Sequence, residues 1–154
     1  MNNNDILRRI RYTFDFSDLR IIDIFELGNC AVTRTEMSDW LKKDDDPAFK
    51  PLNDVQLAMF LNGLITARRG KKDGPPVEPE KRLTNNAILW KLRIALDFKA
   101  ADMIKVMQEA GFPISDHELS AFFRKPTHKH FRECKDQFLR NFLSGLQKKH
   151  RGSW

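Results

Sequence analysis

The sequence predicts an all-α fold made of two tandem four-helix repeats. Three observations carry that prediction. The chain matches itself without a gap when displaced by 82 residues. Its apolar residues recur three and four positions apart, the helical period. No window alternates apolar and polar residues long enough for a strand. From Asn3 to Gly70 the displaced copies share 20 identities in 68 positions, far beyond a chance ungapped match. The predicted organisation is a first helical repeat over 1–70, a linker over 71–84 and a second repeat over 85–152.

Each repeat is read in chain order. Ile6, Leu7, Ile10 and Phe14 form a helical stripe, matched by Ile88, Leu89, Leu92 and Leu96. A second helix starts near Ser17, carries Ile21, Ile22, Ile24, Phe25 and Leu27, and stops at Gly28-Asn29. Its copy runs from Met103 to Gly111. Thr33-x-x-Glu36 and Ser115-x-x-Glu118 are capping boxes, in which side chain and backbone at a helix start satisfy each other's free groups. They open third helices carrying Met37, Trp40 and Leu41, and Leu119, Phe122 and Phe123. Irregular stretches follow, Asp44 to Pro51 and Pro126 to Glu133. The last helices carry Leu57, Phe60, Leu61 and Leu64, and Leu139, Phe142, Leu143 and Leu146. Single glycines inside them, Gly63 and Gly145, are read as close helix contacts. Three prolines, a glycine and seven charges leave 71–84 no helix and no core. A lone repeat of this size is marginal, so the copies are expected to pack with approximate twofold pseudo-symmetry.

Several segments resemble a known family. They are Ile88-Leu89-x-Lys91-Leu92-Arg93-Ile94-Ala95-Leu96, Leu119-Ser120-Ala121-Phe122-Phe123-Arg124-Lys125-Pro126, and the stretch from Phe131-Arg132-Glu133-Cys134 to Gly145-Leu146. With Phe60-Leu61-Asn62-Gly63-Leu64-Ile65 they are similar to the YehS-like bacterial proteins. The resemblance spans essentially the whole chain. It implies a tandem duplicated helical domain in a bacterial cytoplasmic protein, and it brings no catalytic residue, cofactor or ligand.

Charge separates the copies. The net charge of +6 is made of −1 over 1–70, +1 over 71–84 and +6 over 85–154, and all four histidines lie in the second copy. The contrast peaks after the third helix. Lys42-Lys43-Asp44-Asp45-Asp46-Pro47-Ala48-Phe49-Lys50 in the first copy becomes Arg124-Lys125-Pro126-Thr127-His128-Lys129-His130-Phe131-Arg132 in the second. Arg124, Lys125, Lys129, His130 and Arg132 are therefore the candidate nucleic-acid-binding residues, since clustered cations hold phosphates and release counterions. The competing interpretations are a solvated charged face, and an acidic and a basic loop that neutralise each other. The helix order is also helix-turn-helix-like, with Arg34, Thr35 and Ser38 facing a groove, replaced by Asp116, His117 and Ser120 in the second copy. Against DNA reading stand a long turn between Gly28 and Thr33, the acids Asp39 and Asp116, and the slight net acidity of the first copy.

Enzyme signatures are missing. There is no nucleophile elbow, phosphate-cradling glycine loop or His-Glu-x-x-His. His128-x-His130 with Cys134 fits no strong zinc spacing. Cys30 and Cys134 fall on Phe112 and Leu52 of the other copy, so both are read as small core residues and no metal or cofactor is expected. Asp15 and Asp97 are expected to cap the turn into the second helix. Arg11 with Glu36 and Arg93 with Glu118 are expected to pair across the first and third helices. The predicted role is a non-enzymatic binding protein in the cytoplasm, without membrane contact. Its partner is DNA or RNA at the second repeat. The alternative is a protein partner or homo-oligomer meeting Trp40, Trp90 and the second helices.

Overall fold

Six of the eight helices described start at a short polar side chain. A computed structural model of the protein describes residues 1–151. Among them the helices are α1 (Asn3–Phe14), α2 (Asp18–Leu27), α3 (Arg34–Leu41), α4 (Asp54–Arg69), α5 (Asn85–Leu96), α6 (Ala100–Glu109), α7 (Asp116–Phe122) and α8 (Asp136–Arg151). At α3 the Glu36 N–H donates to the Thr33 hydroxyl at 3.1 Å, and the Thr33 N–H donates to the Glu36 carboxylate at 3.1 Å. Ser115 and Glu118 repeat that exchange at the start of α7. Asn53 with Gln56 does the same for α4. Asn2, Ser17 and Thr84 cap α1, α2 and α5. Each cap satisfies amides that a helix start leaves without an internal acceptor.

Asp15 and Asp97 do something other than cap the next helix. They end α1 and α5 in the left-handed region, at φ 53° and 56°, and their N–H groups close the last turn. Capping of α2 falls to Ser17 two residues on. Aspartate tolerates this conformation better than most side chains. The second helices end similarly, with the positive φ at Asn29 in one copy and Gly111 in the other.

The chain divides into two compact units, one over Met1–Leu83 and one beginning at Thr84. The 71–84 segment is non-helical, and near its end the Leu83 N–H donates to the Asp54 carboxylate at 2.9 Å. In each unit the second helix packs along the fourth: α2 on α4, α6 on α8. The first core buries Ile21, Ile24, Met37, Leu57 and Leu64 together with Phe25, whose ring lies 5.4 Å from Trp40 and 4.9 Å from Phe60. The second has Met107 where Phe25 stands, with Met103, Leu119, Phe122, Leu139 and Phe142 buried beside it.

The two units share one hydrogen-bond register at a displacement of 82. Phe16 N–H to the Arg11 carbonyl matches Phe98 to Arg93; Cys30 to Phe25 matches Phe112 to Met107. The α3–α4 and α7–α8 loops match too: Asp46 to Lys43 and Phe49 to Asp46 in one, His128 to Lys125 and Phe131 to His128 in the other. The duplication is thus one of backbone geometry as well as sequence. Gly70 pairs in sequence with Gly152, which lies outside the described residues.

Glycine sets how closely the paired helices approach. A Cβ on Gly63 would overlap the Ile24 carbonyl oxygen and sit 2.9 Å from the Gly28 N. On Gly28 it would overlap the Met59 carbonyl oxygen. In the second unit the place of Gly28 is taken by Ala110, and the contact is looser: a Cβ on Gly145 would stand 2.7 Å from the Val106 carbonyl oxygen.

The expected Arg–Glu pairs do not form. Glu36 is committed to its cap. Arg11 instead donates to the Phe16 carbonyl at 3.3 Å and pairs with Asp18 at 2.7 Å, bracing the α1–α2 turn. Arg93 donates to the Phe98 carbonyl at 3.2 Å, and its guanidinium lies over Trp90 and Phe123. First and third helices are joined by asparagines instead. Asn4, only 2% exposed, donates to the Trp40 and Lys50 carbonyls, both at 2.9 Å, and accepts the Leu52 N–H at 3.0 Å. Asn86 makes the same three bonds to Phe122, Arg132 and Cys134. Beside them, Asn3 and Asn85 bind the Asp54 and Asp136 carboxylates.

Candidate nucleic-acid interface

The basic segment begins where α7 ends and runs to the turn before α8. Its path is fixed by backbone groups. The Arg132 N–H donates to the Ala121 carbonyl at 3.1 Å, the Arg132 carbonyl accepts from Asn86 at 2.9 Å, and the Cys134 N–H donates to the Asn86 side chain. The side chains are consequently directed outward: Lys125, Lys129, His130 and Arg132 are exposed and Arg124 is half-buried. Arg124 reaches the His130 carbonyl at 3.4 Å, spanning the loop. Arg132 lies over the Phe122 ring and 3.4 Å from the Glu118 carboxylate. Both members of that pair are about half exposed, so water and salt screen it. Hydrogen bonds from the Ser115 backbone, then from its hydroxyl, hold Glu118 below the usual carboxylate range, with Arg132 a smaller cause. Among the described residues Lys125 and Lys129 pair with no carboxylate. All five sequence-predicted residues therefore share one loop.

The matching loop of the first unit is electrostatically closed. Arg8 pairs with Asp5, hydrogen-bonds the Lys42 carbonyl and lies 3.9 Å from Asp44. Lys42 pairs with Asp39 at 2.8 Å, which raises its pKa. At the equivalent positions the second unit replaces each of these acids: Asp5 by Ala87, Asp39 by Ala121, Asp44 by Pro126.

The remaining sequence candidates are dispersed. Arg34, Thr35 and Ser38 are exposed on α3, as are Asp116, His117 and Ser120 on α7. Asp39 does not share their surface; it is 8% exposed and turned toward Lys42. Six residues separate α2 from α3, so the connection is as long as the sequence predicts. Trp40 is 5% exposed and packs on Phe25, which removes it from any contact surface. The apolar positions Ile21, Ile24, Met103 and Val106 of the second helices are likewise buried. Trp90 remains accessible at 46%.

An open cleft of about 480 Å³ lies nearby, lined in part by Phe112, Ile114, Phe122 and Phe138 with Arg132 and Lys135. Lys135 is paired with Glu133 at 3.0 Å. Among the described residues no three His, Cys, Asp or Glu side chains come together as a ligand set. The His128 and His130 rings are 5.6 Å apart, and His128 Nδ1 is occupied by the His130 N–H at 3.0 Å.

The two thiols differ. Cys134 is 1% exposed, as a core residue should be. Burial, then Asp136, pushes its pKa up to about 12, so it stays a protonated thiol at neutral pH. Cys30 is only half-buried, because its slot, like that of its counterpart Phe112, opens to solvent. Burial followed by Glu36 raises its pKa. Iodoacetamide at pH 8 is expected to label Cys30 of the native protein and to reach Cys134 only after unfolding in urea; equal labelling rates would contradict this burial.

Residues 3–70, and again 85–152, match the family described as "protein of unknown function (DUF1456)". The chain belongs to this family. Both copies of the family's repeat coincide with a four-helix unit of the structure. The chain is also similar to the Escherichia coli (strain K12) protein titled "Uncharacterized protein YehS", at 45% identity over 147 residues, 95% of this chain and 94% of that protein. No solved structure matches. Among the described residues no helix is long and apolar enough to cross a membrane.

Proposed function

We propose that the protein is a non-enzymatic binding module that engages nucleic acid through the basic loop of its second unit. The observation that carries this is a pair of loops with the same backbone hydrogen bonds and different charge, one balanced and one wholly basic. One balances three lysines against three aspartates and is tied into ion pairs at Lys42 and Asp44; the other carries no acid and presents Lys125, Lys129 and Arg132 outward beside a half-buried Arg124. A scaffold needs the backbone path. It has no need to remove three acids around the second loop, whereas a polyanion-binding surface does.

Four phosphate contacts give a defined salt response. Binding of labelled DNA or RNA, followed by fluorescence anisotropy, should weaken between 50 and 200 mM salt by roughly 50-fold for a single strand and roughly 150-fold for a duplex. Reversing Arg124, Lys125, Lys129 and Arg132 to glutamate should abolish binding at both salts while circular dichroism stays unchanged. Retention of binding by that variant would overturn the proposal. A protein partner is the second reading, favoured by the exposure of Trp90 and of Leu19 and Leu27 on α2; its apolar contact would tolerate the same change of salt.

A further inference from the structure

The second unit carries an aromatic patch at the foot of its basic loop that has no equivalent in the first. The Trp90 ring lies 5.3 Å from the Phe123 ring at an interplanar angle of 54°. The Arg93 guanidinium sits over both, 5.8 Å and 5.1 Å from their centroids. Phe123 leads directly into Arg124 and Lys125, so patch and loop are continuous along the chain. The first unit fills the same three positions with Arg8, Leu41 and Arg11. There Arg8 and Arg11 are held by Asp5, Asp44 and Asp18. In the second unit those acids become Ala87, Pro126 and Ala100. An arginine held by acids has been replaced by an accessible tryptophan, and the surrounding carboxylates are gone. Among the described residues Arg93 pairs with no carboxylate.

Resting on the binding proposal above, we infer that Trp90 is a stacking platform for an unpaired base, so that the ligand is single-stranded nucleic acid. The chemistry decides between strand states. A duplex keeps its base faces stacked and offers phosphates alone, while a single strand offers π-faces together with phosphates. A half-exposed indole is of no use to duplex phosphates, but it is the surface on which a base stacks, and the cations of the adjoining loop would hold the backbone that leads from it. Close packing against Phe123 and Arg93 fixes the indole, so little side-chain freedom is lost on binding. The shared ligand chemistry is a base plus a phosphodiester, which RNA and DNA both supply.

The test uses the full-length protein with labelled 12-mers of oligo(dT) and oligo(U), and a duplex of equal length, at 50 mM salt. Trp90→Ala is expected to weaken single-strand binding about tenfold or more and to leave duplex binding unchanged; Trp90→Phe should recover most of the loss. Tryptophan fluorescence should be quenched by the oligonucleotides in the wild type and far less in Trp90→Phe. The ratio of oligo(U) to oligo(dT) affinity separates RNA from DNA. Equal single-strand binding by wild type and Trp90→Ala overturns the platform. If the four-site charge reversal still abolishes binding in that case, the basic loop stands without it. Loss on Phe112→Ala in place of Trp90→Ala would move the base into the cleft and likewise overturn the inference. Binding that survives the charge reversal refutes the underlying proposal, whatever Trp90 does.

Discussion

Gly63→Ala should destabilise the protein by about 3 kcal/mol, a fall in Tm of roughly 10 °C or more. The new methyl would overlap the Ile24 carbonyl oxygen, which is backbone within α2 and cannot rotate away. Relief requires α2 to move off α4, and that opens the contacts around Phe25 and Phe60. Helix propensity works in the opposite direction, since alanine is favoured over glycine mid-helix by about 1 kcal/mol. The steric cost is therefore read net of that gain. Gly145→Ala is the internal control. Its methyl meets the Val106 carbonyl oxygen at 2.7 Å and the Ala110 Cβ at 3.2 Å, a milder conflict that propensity partly offsets. Thermal melts of the two variants should rank Gly63→Ala well below Gly145→Ala. Equal Tm values would refute the role assigned to the Gly28–Gly63 crossing.

The second large effect is expected at Asn4. Asn4→Ala strands the Trp40 and Lys50 carbonyls and the Leu52 N–H at a site closed to water. Groups left unsatisfied in this way cost about 1–3 kcal/mol each. Two of the three should stay dry, giving a loss of about 3 kcal/mol in urea unfolding. Asn4→Asp should be worse at pH 7, because it presents a buried carboxylate to two carbonyl oxygens. Asn86→Ala breaks the corresponding bonds at a more accessible place, where water can replace them, so its loss should be smaller. If Asn4→Ala unfolds at the wild-type urea concentration, the three bonds are not what joins α1 to the α3–α4 segment.

The repeat, the helix order and the capping boxes were legible because each is a local pattern, and the second copy verified the first. Ser115 and Glu118 could be matched to Thr33 and Glu36 with no knowledge of tertiary contacts. What was not legible depends on where side chains point. Arg11 and Glu36 recur together, yet Glu36 is used within its own turn and Arg11 lies beside the Phe16 carbonyl. Trp40 and Trp90 looked alike as candidates for a surface; one packs on Phe25 and the other stands half outside. Asp39 looked like a surface acid, but its position in α3 turns it inward. Asn3-Asn4 and Asn85-Asn86 were visible as identities. The sequence assigned them no role, and the only signal was that the pair recurs one turn before the same apolar stripe. The basic loop could be placed from charge alone, whereas the aromatic patch beside it could not, because Trp90 and Phe123 lie far apart in sequence.

The asparagine bracket has a consequence for how this chain could have arisen. Asn4 and Asn86 grip backbone carbonyls and amides at the edges of their loops, so the hold is indifferent to the side chains carried between. Such a segment is an interchangeable cassette. After the gene doubled, the side chains of one cassette could change, its aspartates giving way to proline, threonine and histidine, while the backbone hold on it stayed the same.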